Sequence, residues 1–427
     1  MRKWAIGCGS LFVVAVIATG IYRVALNRRE AARDEAALQE QFRLARADGI
    51  PTSYEEFTRT IKPAKPSENA APVYVQLNRA KHPLSLPAGI ENDLLMRPTS
   101  AHTKDAKDYL RSQGGDLALI DKAAALPRCW FNRDWSLGPA VLMPELQTMK
   151  TAARLLAFRG SVAVSEGRLP DALRDIHKME TLSVQVREEG TVIPVLVSNG
   201  IRANALHHLA LWAFMHPEAP VLAKAMEPLL RDWPKSDLQQ MNRDELIQLL
   251  WLVDASETKE GLAKIGVKPE DTSRLDIIAP LVLSRSKARI DMVKAERRIW
   301  AALGGTATKR AKALESAKLS RNMSMMAWPT AARIYMQLAG DVLASGDDPS
   351  DQIVEAQRLQ YTALRRALGR GRIPKRIDTH DLLSPFDGKP LAYQFDGRQI
   401  TVTVSISDPD ILVRPLKLPS DSELKGK

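Results

Sequence analysis

The fold is decided by residues 146–187, LQTMKTAARLLAFRGSVAVSEGRLPDALRDIHKMETLSVQVR. Apolar and small residues recur every three to four positions from Leu146 to Val164, which predicts an amphipathic helix. Glu166-Gly167-Arg168 then forms a turn. Pro170-Asp171 begins a second helix that runs to Arg187, because proline is tolerated in a first helical turn. Two helices joined by so short a turn predict an antiparallel hairpin.

The helical pattern extends well beyond this hairpin and dominates residues 139–369. The small residues and the turn resemble a tetratricopeptide hairpin, and similar punctuation returns at 342–357. We find no tandem copies at the period of 34 residues that such repeats have, so a long array is not expected. We predict a mainly α protein with a tetratricopeptide-like body, whose further helices occupy residues 192–215, 219–232, 236–264, 274–302, 307–322 and 328–345.

Residues 49–138 precede this body and carry a weaker pattern of short helices and a proline-rich connector. Gly49-Ile50-Pro51 ends the preceding helix. Thr52 and Ser53 each stand three residues before a glutamate, Glu55 or Glu56, which predicts capping boxes for a short helix through Ile61. Residues 62–72, KPAKPSENAAP, form the connector.

The C-terminal segment has the period of β-strands. Leu391, Tyr393 and Phe395 alternate with polar residues, Asp396-Gly397 follows, and Ile400, Val402, Val404 and Ile406 alternate again. This pattern on either side of Asp-Gly predicts a β-hairpin. We assign residues 370–414 to a small β-hairpin module and residues 415–427 to a flexible tail.

The N-terminus carries an uncharged run from Trp4 to Tyr22, WAIGCGSLFVVAVIATGIY. At about 1.5 Å per residue this run just spans a hydrocarbon core of roughly 30 Å, so residues 1–22 are predicted to be a single transmembrane anchor. A signal peptide cleaved near Ala18-Thr19-Gly20 is the alternative. Residues 23–48 are then a stalk helix leaving the membrane.

The orientation of the anchor has two interpretations. The arginines that follow the run favour a cytoplasmic body by the positive-inside rule. The short basic start, Arg2 and Lys3, and the apolar run after it resemble an export signal. We favour export, and we expect a single-pass membrane protein with an extracytoplasmic body.

Composition excludes several classes of protein. The chain has 427 residues and two cysteines, which exclude a disulfide framework and a zinc cluster built on thiolates. The net charge is +11, and two stretches, Arg285 to Arg321 and Arg358 to Arg376, carry more than this excess. Each is either a solvated helix face or a surface for anionic lipid. Nucleic acid is the least favoured partner.

The candidates for contact with an anionic surface are ten basic residues in these two stretches: Arg285, Lys287, Arg289, Lys294, Arg297, Arg298, Arg365, Arg366, Arg370 and Arg372.

The residues that could carry catalysis have simpler interpretations. His208 shares a helix face with Ile201, Ala205 and Trp212, so a buried histidine is favoured over a metal ligand. Cys129, in LPRCWFN, has no nearby residue that would lower the pKa of its thiol. The sequences Ser284 to Lys287 and Ser320 to Asn322 match two motifs of penicillin-recognising acyl transferases, but the Lys-Thr-Gly element is missing. We predict no catalytic, cofactor-binding or metal-binding residues.

Two resemblances add to this interpretation. Residues 363–395, through Gly371, Pro374, Pro385, Gly388, Pro390 and Tyr393, resemble the C-terminal region of type II secretion major pseudopilins. A prepilin cleavage motif does not precede the apolar run. The overall layout is also similar to a family of uncharacterised, N-terminally anchored bacterial helical proteins, through Pro51 to Glu55, Glu68 to Pro72, residues 146–212 and Pro385 to Leu391.

These observations favour a non-enzymatic envelope scaffold that binds protein partners. The alternatives are an exported hydrolase, whose site would assemble from distant residues such as Cys129 or a serine with a histidine and a carboxylate, and a pseudopilin-like assembly subunit.

Overall fold

The structure is a computed structural model of the chain. The residues that it describes are 22, 25, 33–79, 100–141, 143–188, 191–231, 245–255, 285–303, 349–369, 373–385, 387–396, 399–405 and 416–418. Within these residues the protein is mainly helical with a small antiparallel sheet.

The described helices are α1 (33–47), α2 (Tyr54–Thr60), α3 (Ala71–Asn78), α4 (Ser100–Ser112), α5 (Gly114–Ala124), α6 (Pro144–Ser165), α7 (Leu169–Arg187), α8 (Val192–Met215), α9 (Pro220–Arg231), α10 (Glu245–Ala255), α11 (Arg285–Leu303) and α12 (Pro349–Leu368). Short 3₁₀ turns occupy Pro66–Glu68 and Trp135–Ala140. The strands are β1 (Ala392–Phe395), β2 (Ile400–Thr403) and β3 (Leu416–Leu418).

The chain folds into two compact units that interleave along the sequence. Unit 1 comprises Met1–Lys62, Arg133–Val141 and Leu238–Asp348. Unit 2 comprises Pro63–Asn132, Leu142–Asp237 and Pro349–Lys427. This division differs from the consecutive segments predicted from sequence, in which 49–138 and 139–369 were single regions. The difference arises because contacts between distant segments, which local periodicity does not report, define the units.

Unit 1 packs the predicted stalk helix into a helical core. Leu38, Phe42 and Ala45 lie about one turn apart on α1 and belong to the same apolar cluster as Ile290 and Val293 of α11. The helix ends at Gly49, whose φ of 84° suits glycine. The backbone N–H of Ile50 donates to the oxygen of Ala45 at 2.9 Å, and that of Gly49 to Arg46 at 3.0 Å, which is a Schellman motif. The predicted break at Gly49-Ile50-Pro51 is therefore confirmed.

The start of α2 differs in detail from the predicted capping boxes. Ser53 is the N-cap, and its hydroxyl accepts from the N–H of Glu56 at 3.2 Å. The Glu56 carboxylate reaches back to the N–H and hydroxyl of Thr52, at 2.8 and 2.9 Å. Thr52 therefore donates to Glu56 and does not cap a box of its own with Glu55.

Unit 2 is built around the predicted hairpin of α6 and α7, extended by α8. The turn between α6 and α7 repeats the Schellman geometry: Gly167 has a φ of 73°, and the N–H of Arg168 donates to Ala163 at 2.8 Å. Small side chains on α6 let the neighbouring helices approach closely. At Gly160, a Cβ atom would lie 2.6 Å from Cη2 of Trp212 on α8. The predicted bounds of α6, α7 and α8 agree with the structure to within two residues.

The C-terminal module forms the predicted hairpin with one correction. Strand β1 pairs antiparallel with β2, with Phe395 opposite Ile400, so four residues that include Asp396-Gly397 connect the strands. Residues 416–418, predicted to lie in a flexible tail, form β3 and pair with β2. A third strand is physically reasonable because an isolated two-stranded hairpin is marginal in water. Gln360 of α12 donates to the oxygen of Val402 at 3.1 Å and ties the sheet to the helices.

Candidate functional site

A hydrogen-bonded junction joins the segment before α3 to the segment after α5. The Asn69 amide accepts from the N–H of Trp130 at 2.8 Å and donates to the oxygen of the same residue at 2.9 Å. It also accepts from the N–H of Ala71 at 3.1 Å, which satisfies a donor in the first turn of α3. The Ala70 N–H donates to the backbone oxygen of Arg128 at 2.8 Å. We call these residues, 68–71 and 128–130, the Asn69 junction.

Helix α7 closes the junction with two polar side chains. The Glu188 carboxylate, just after α7, accepts from the N–H of Cys129 at 2.5 Å and pairs with Arg128. The Gln185 amide accepts from the Tyr74 hydroxyl at 2.7 Å and donates to the oxygens of Ala123 and Leu126. The Asn69 junction therefore fixes α3 and α5 against the end of the hairpin.

This arrangement explains the surroundings of Cys129. Its side chain is completely buried and lies close to Tyr74. Burial raises the pKa of Tyr74 well above its usual range, and the neighbouring thiol adds to this effect. Cys129 is thus part of the packed interior of unit 2.

A second polar group is a cluster of four charges on α5, α6 and α7. Arg159 donates to both carboxylate oxygens of Asp175, and to both of Asp121 at 2.8 and 3.1 Å. Lys178 donates to Asp121 at 2.7 Å. Burial alone would raise the pKa of Asp121, but the bonds from Arg159 and Lys178 outweigh it and lower that pKa. The two positive and two negative charges of the cluster sum to zero, and their hydrogen bonds hold α5, α6 and α7 together.

His208 lies in the apolar seam that the sequence predicts. Ile201, Ala205, His208 and Trp212 are all at most 2% exposed. The Trp212 indole donates to the Ser161 hydroxyl at 3.2 Å, which attaches this face to α6. Burial lowers the pKa of His208 to about 3, with a further contribution from His207. The ring is therefore neutral at physiological pH.

The two sequence candidates for chemistry, Cys129 and His208, have different neighbours. Cys129 lies beside Tyr74 and Glu188, and His208 lies beside His207 and Trp212. Of the residues that match acyl-transferase motifs, Ser284 and residues 320–322 lie outside the described residues.

The outward face of the α7–α8 pair is unusually apolar. Ile193 and Leu196, one turn apart on α8, are 56% and 45% exposed, and Val184 on α7 is 53% exposed. They lie at the same end of the two helices, where the Ser198 hydroxyl donates to the oxygen of Ser183 at 2.7 Å. Gly200 continues the stripe, and a Cβ atom there would meet nothing within 4 Å. We call Val184, Ile193, Leu196 and Gly200 the α8 face.

Four of the ten predicted anionic-surface residues are engaged within their own unit. In unit 1, Arg289 donates to Asp254 at 2.5 Å and Arg297 to Asp48 at 2.6 Å. In unit 2, Arg365 donates to Glu227 at 3.2 Å and Arg366 makes two 2.6 Å bonds to Asp381.

Of the other six, three are exposed on α11: Lys287, Lys294 and Arg298. The side chain of Arg285 and the residues Arg370 and Arg372 lie outside what the structure describes.

The described residues contain neither a membrane span nor a metal site. None of the described helices is both long and apolar enough to cross a membrane; the predicted anchor, apart from Tyr22, lies outside the described part of the chain. Likewise, among the described histidine, cysteine, aspartate and glutamate residues, no group of three could hold a metal ion.

The comparisons with known proteins leave the family open. The chain matches no family model, no curated protein and no solved structure. The resemblances to major pseudopilins and to anchored bacterial helical proteins therefore stay predictions.

Sequence reasoning missed the roles of Asn69, Gln185 and Glu188. One signal was present for Asn69: it directly precedes Ala-Ala-Pro, and an asparagine before a helix start is a typical capping residue. Nothing local indicated that Gln185 and Glu188 would meet a segment about 60 residues earlier.

Proposed function

We propose that this protein is a membrane-anchored, non-enzymatic interaction protein whose helical body binds a protein partner outside the cytoplasm. The anchor is the run from Trp4 to Tyr22, and the docking site is the α8 face of unit 2. The grouping of exposed apolar side chains on the α8 face carries the proposal, because neighbouring apolar residues on a solvated surface are typical of interaction sites.

Burial of the α8 face by a partner would contribute an appreciable free energy of binding. Fully burying a valine, leucine or isoleucine side chain contributes about 1.5–3 kcal/mol, and these three are about half exposed. Covering Val184, Ile193 and Leu196 would therefore contribute about 3 kcal/mol, before the costs of association. That is a plausible centre for an interface, with the surrounding polar surface as its rim.

The shape of the face favours a helical partner. Ile193, Leu196 and Gly200 follow one another at intervals of three and four residues, which places them in one row along α8. Gly200 leaves a notch in that row, into which a partner side chain could insert. An amphipathic helix laid along α8 would present its own apolar residues at the same spacing.

The structural roles of the polar groups support an interaction protein. Asn69, Gln185 and Glu188 are occupied in holding helices together, and the charges of Arg159 and Asp175 neutralise one another. Cys129 and His208 are packed inside unit 2. These residues give the body a fixed shape on which an exposed face can be presented.

The test is site-specific photo-crosslinking in cells that carry the full-length chain. A photoreactive residue replaces Leu196 in one variant and Val221 in the control. Val221 is 46% exposed, close to the 45% of Leu196, but lies in the first turn of α9, beyond the other end of α8. We expect Leu196 to give one discrete protein adduct that is lost when Val184→Asp is added, and Val221 to give none. Equal adducts from both positions, or an adduct indifferent to Val184→Asp, would exclude the α8 face as the docking site.

A further inference from the structure

The outward row of α8 has large side chains at its start and small ones further along. Ile193 and Leu196 lie in the first two turns and are 56% and 45% exposed. Gly200 and the half-buried Ala203 follow in the same row, at intervals of four and three residues. A Cβ atom at Gly200 would meet nothing within 4 Å. The row therefore carries two projections, followed by two positions that a partner can approach closely.

A second copy of this row, running antiparallel, matches the pattern. If a two-fold axis passes α8 at the level of Ser198, positions equally far before and after Ser198 face one another. Leu196 then faces Gly200 of the second copy. Ile193 likewise faces Ala203. Large side chains meet small ones throughout, as in packed helix pairs, whereas parallel stacking would set Leu196 against Leu196.

Helix α7 indicates the same axis independently. The hydroxyl of Ser198 donates to the backbone oxygen of Ser183 at 2.7 Å, so Ser183 lies at the level that the α8 row selects. Val184, which is 53% exposed, is the next residue of α7. When the α7–α8 layers of two copies stack face to face about this axis, Val184 meets Val184 of the second copy. The two are offset by about 3 Å along the helix direction.

The charges beside the face complement those of a second copy. Glu180 and Arg187 are seven residues apart, nearly two full turns, so both lie on one side of α7. They stand three residues before and four residues after the level of the axis. Antiparallel stacking therefore sets Glu180 of each copy opposite Arg187 of the other. On α8 the only charged residue between Ile193 and His207 is Arg202, which is 5% exposed, so the centre of the contact is uncharged.

The size of the face predicts a weak contact. The row from Ile193 to His207 is about 21 Å long, and two adjacent helices are about 20 Å wide. Two copies stacked on this face bury roughly 800–1,000 Å² in total, which is in the range of transient interfaces. Anchoring in one membrane compensates for the small area, because it raises the effective concentration of the copies for one another.

We infer that the partner of the α8 face is a second copy of this chain, bound antiparallel about a two-fold axis at the level of Ser198. The inference rests on the proposed function, because it names the protein that the α8 face binds. A second copy accounts together for the alternation of large and small residues on α8, the exposed valine at the same level of α7, and the opposite charges beside it. An unrelated amphipathic helix accounts only for the apolar character of the face.

Disulfide crosslinking of the full-length chain in membranes tests this geometry. Val184→Cys is made in a Cys8→Ala background, since Cys129 is fully buried, and copper phenanthroline serves as the oxidant. Position 184 faces its own counterpart, so we expect a disulfide-linked dimer of twice the chain mass. The matched control, Val221→Cys on α9, is at a position with 46% exposure and should give at least about tenfold less dimer. Equal yields from the two positions would overturn the inference.

A size exchange within the row makes the test specific. Gly200→Leu sets leucine against leucine at both contacts between positions 196 and 200, so the yield of the Val184→Cys dimer should fall at least about tenfold. Adding Leu196→Ala exchanges the large and small positions. Because the two-fold axis pairs these same positions, the double variant should recover most of the dimer. Failure to recover would contradict a second copy, since only a partner that carries the same exchange is matched again.

The photo-crosslinking at Leu196 separates this inference from the proposed function. An adduct that contains two differently tagged copies of the chain supports both proposals. An adduct with a different protein would overturn the second copy and keep the α8 face as the docking site. The absence of any adduct would overturn both.

Discussion

Replacing Asn69 with alanine should be the most destabilising single change at the Asn69 junction. The change removes three hydrogen bonds, to the N–H and oxygen of Trp130 and to the N–H of Ala71. A net hydrogen bond contributes about 1 kcal/mol, and buried groups left without a partner cost more. Ala71 is 4% exposed, so water cannot readily replace the lost partner there. We expect a loss of about 3 kcal/mol in the free energy of unfolding.

Urea unfolding of the full-length chain in detergent measures this loss, followed by the fluorescence and the near-ultraviolet circular dichroism of tryptophan. Asn132→Ala is the matched control, because Asn132 is exposed and only two residues beyond the junction. It should change the free energy of unfolding by less than about 0.5 kcal/mol. If Asn69→Ala behaves like Asn132→Ala, then Asn69 does not hold the two segments together and the role assigned to it is refuted.

Three further predictions test particular elements. Gly160→Ala should cost about 1–3 kcal/mol in stability, because its Cβ would meet Trp212. Gly200→Ala should add about 0.5–1 kcal/mol, because its Cβ meets nothing and alanine favours a helix. Thermal unfolding measures both changes, and a stabilised Gly160→Ala or a destabilised Gly200→Ala would contradict the packing described. Gly49→Ala should cost about 1 kcal/mol because of its positive φ, with Gly115→Ala, which has open space and no positive φ, as the control in the same unfolding assay. The Ser405 hydroxyl and the N–H of Lys389 donate to Asp387 and lower the pKa of its carboxyl to about 2. The contribution of Asp387 to the free energy of unfolding is therefore complete above the unfolded pKa near 4 and disappears as pH falls towards 2. The free energy of unfolding should therefore fall less steeply between pH 4 and pH 2 in Asp387→Asn than in the control Asp116→Asn. Equal pH dependence of the two variants would contradict this role of Asp387.

The elements that the sequence predicted well have signals confined to a few neighbouring residues. Gly167 and Pro170 mark the end of α6 and the start of α7, and the apolar period fills the space between such marks. The bounds of α8 and the burial of His208 follow from the same period, since one face of that helix is continuously apolar.

The features that sequence reasoning missed depend on residues far apart in the chain. The Trp251 indole donates to the oxygen of Ser136 at 2.9 Å, across 115 residues, and such contacts assign 133–141 to unit 1. Arg365 meets Glu227 across 138 residues, so its charge could not be recognised as paired from the local sequence. Strand β3 was missed because three residues, Leu-Lys-Leu, are too short for a period to be recognised.

The candidate site also combines features that the local sequence indicates with features that depend on distant contacts. The basic residues of α11 were identified from composition, but which of them are exposed depends on partners such as Asp48 and Asp254 that only the fold brings near. The α8 face was missed altogether. Every residue from 192 to 197 is apolar, so the periodicity does not single out the exposed side at the start of α8, and it is the packing of α6, α7 and α9 around α8 that leaves Ile193 and Leu196 exposed.

The most direct test of the account is a topology and extraction measurement on the full-length chain. A reporter that is active only outside the cytoplasm is fused after Lys427, and membranes are washed with alkaline carbonate. The account predicts an active reporter and a chain that stays in the carbonate-washed membrane. An inactive reporter in retained membranes would place the body in the cytoplasm, and release of the chain by carbonate would contradict the anchor itself.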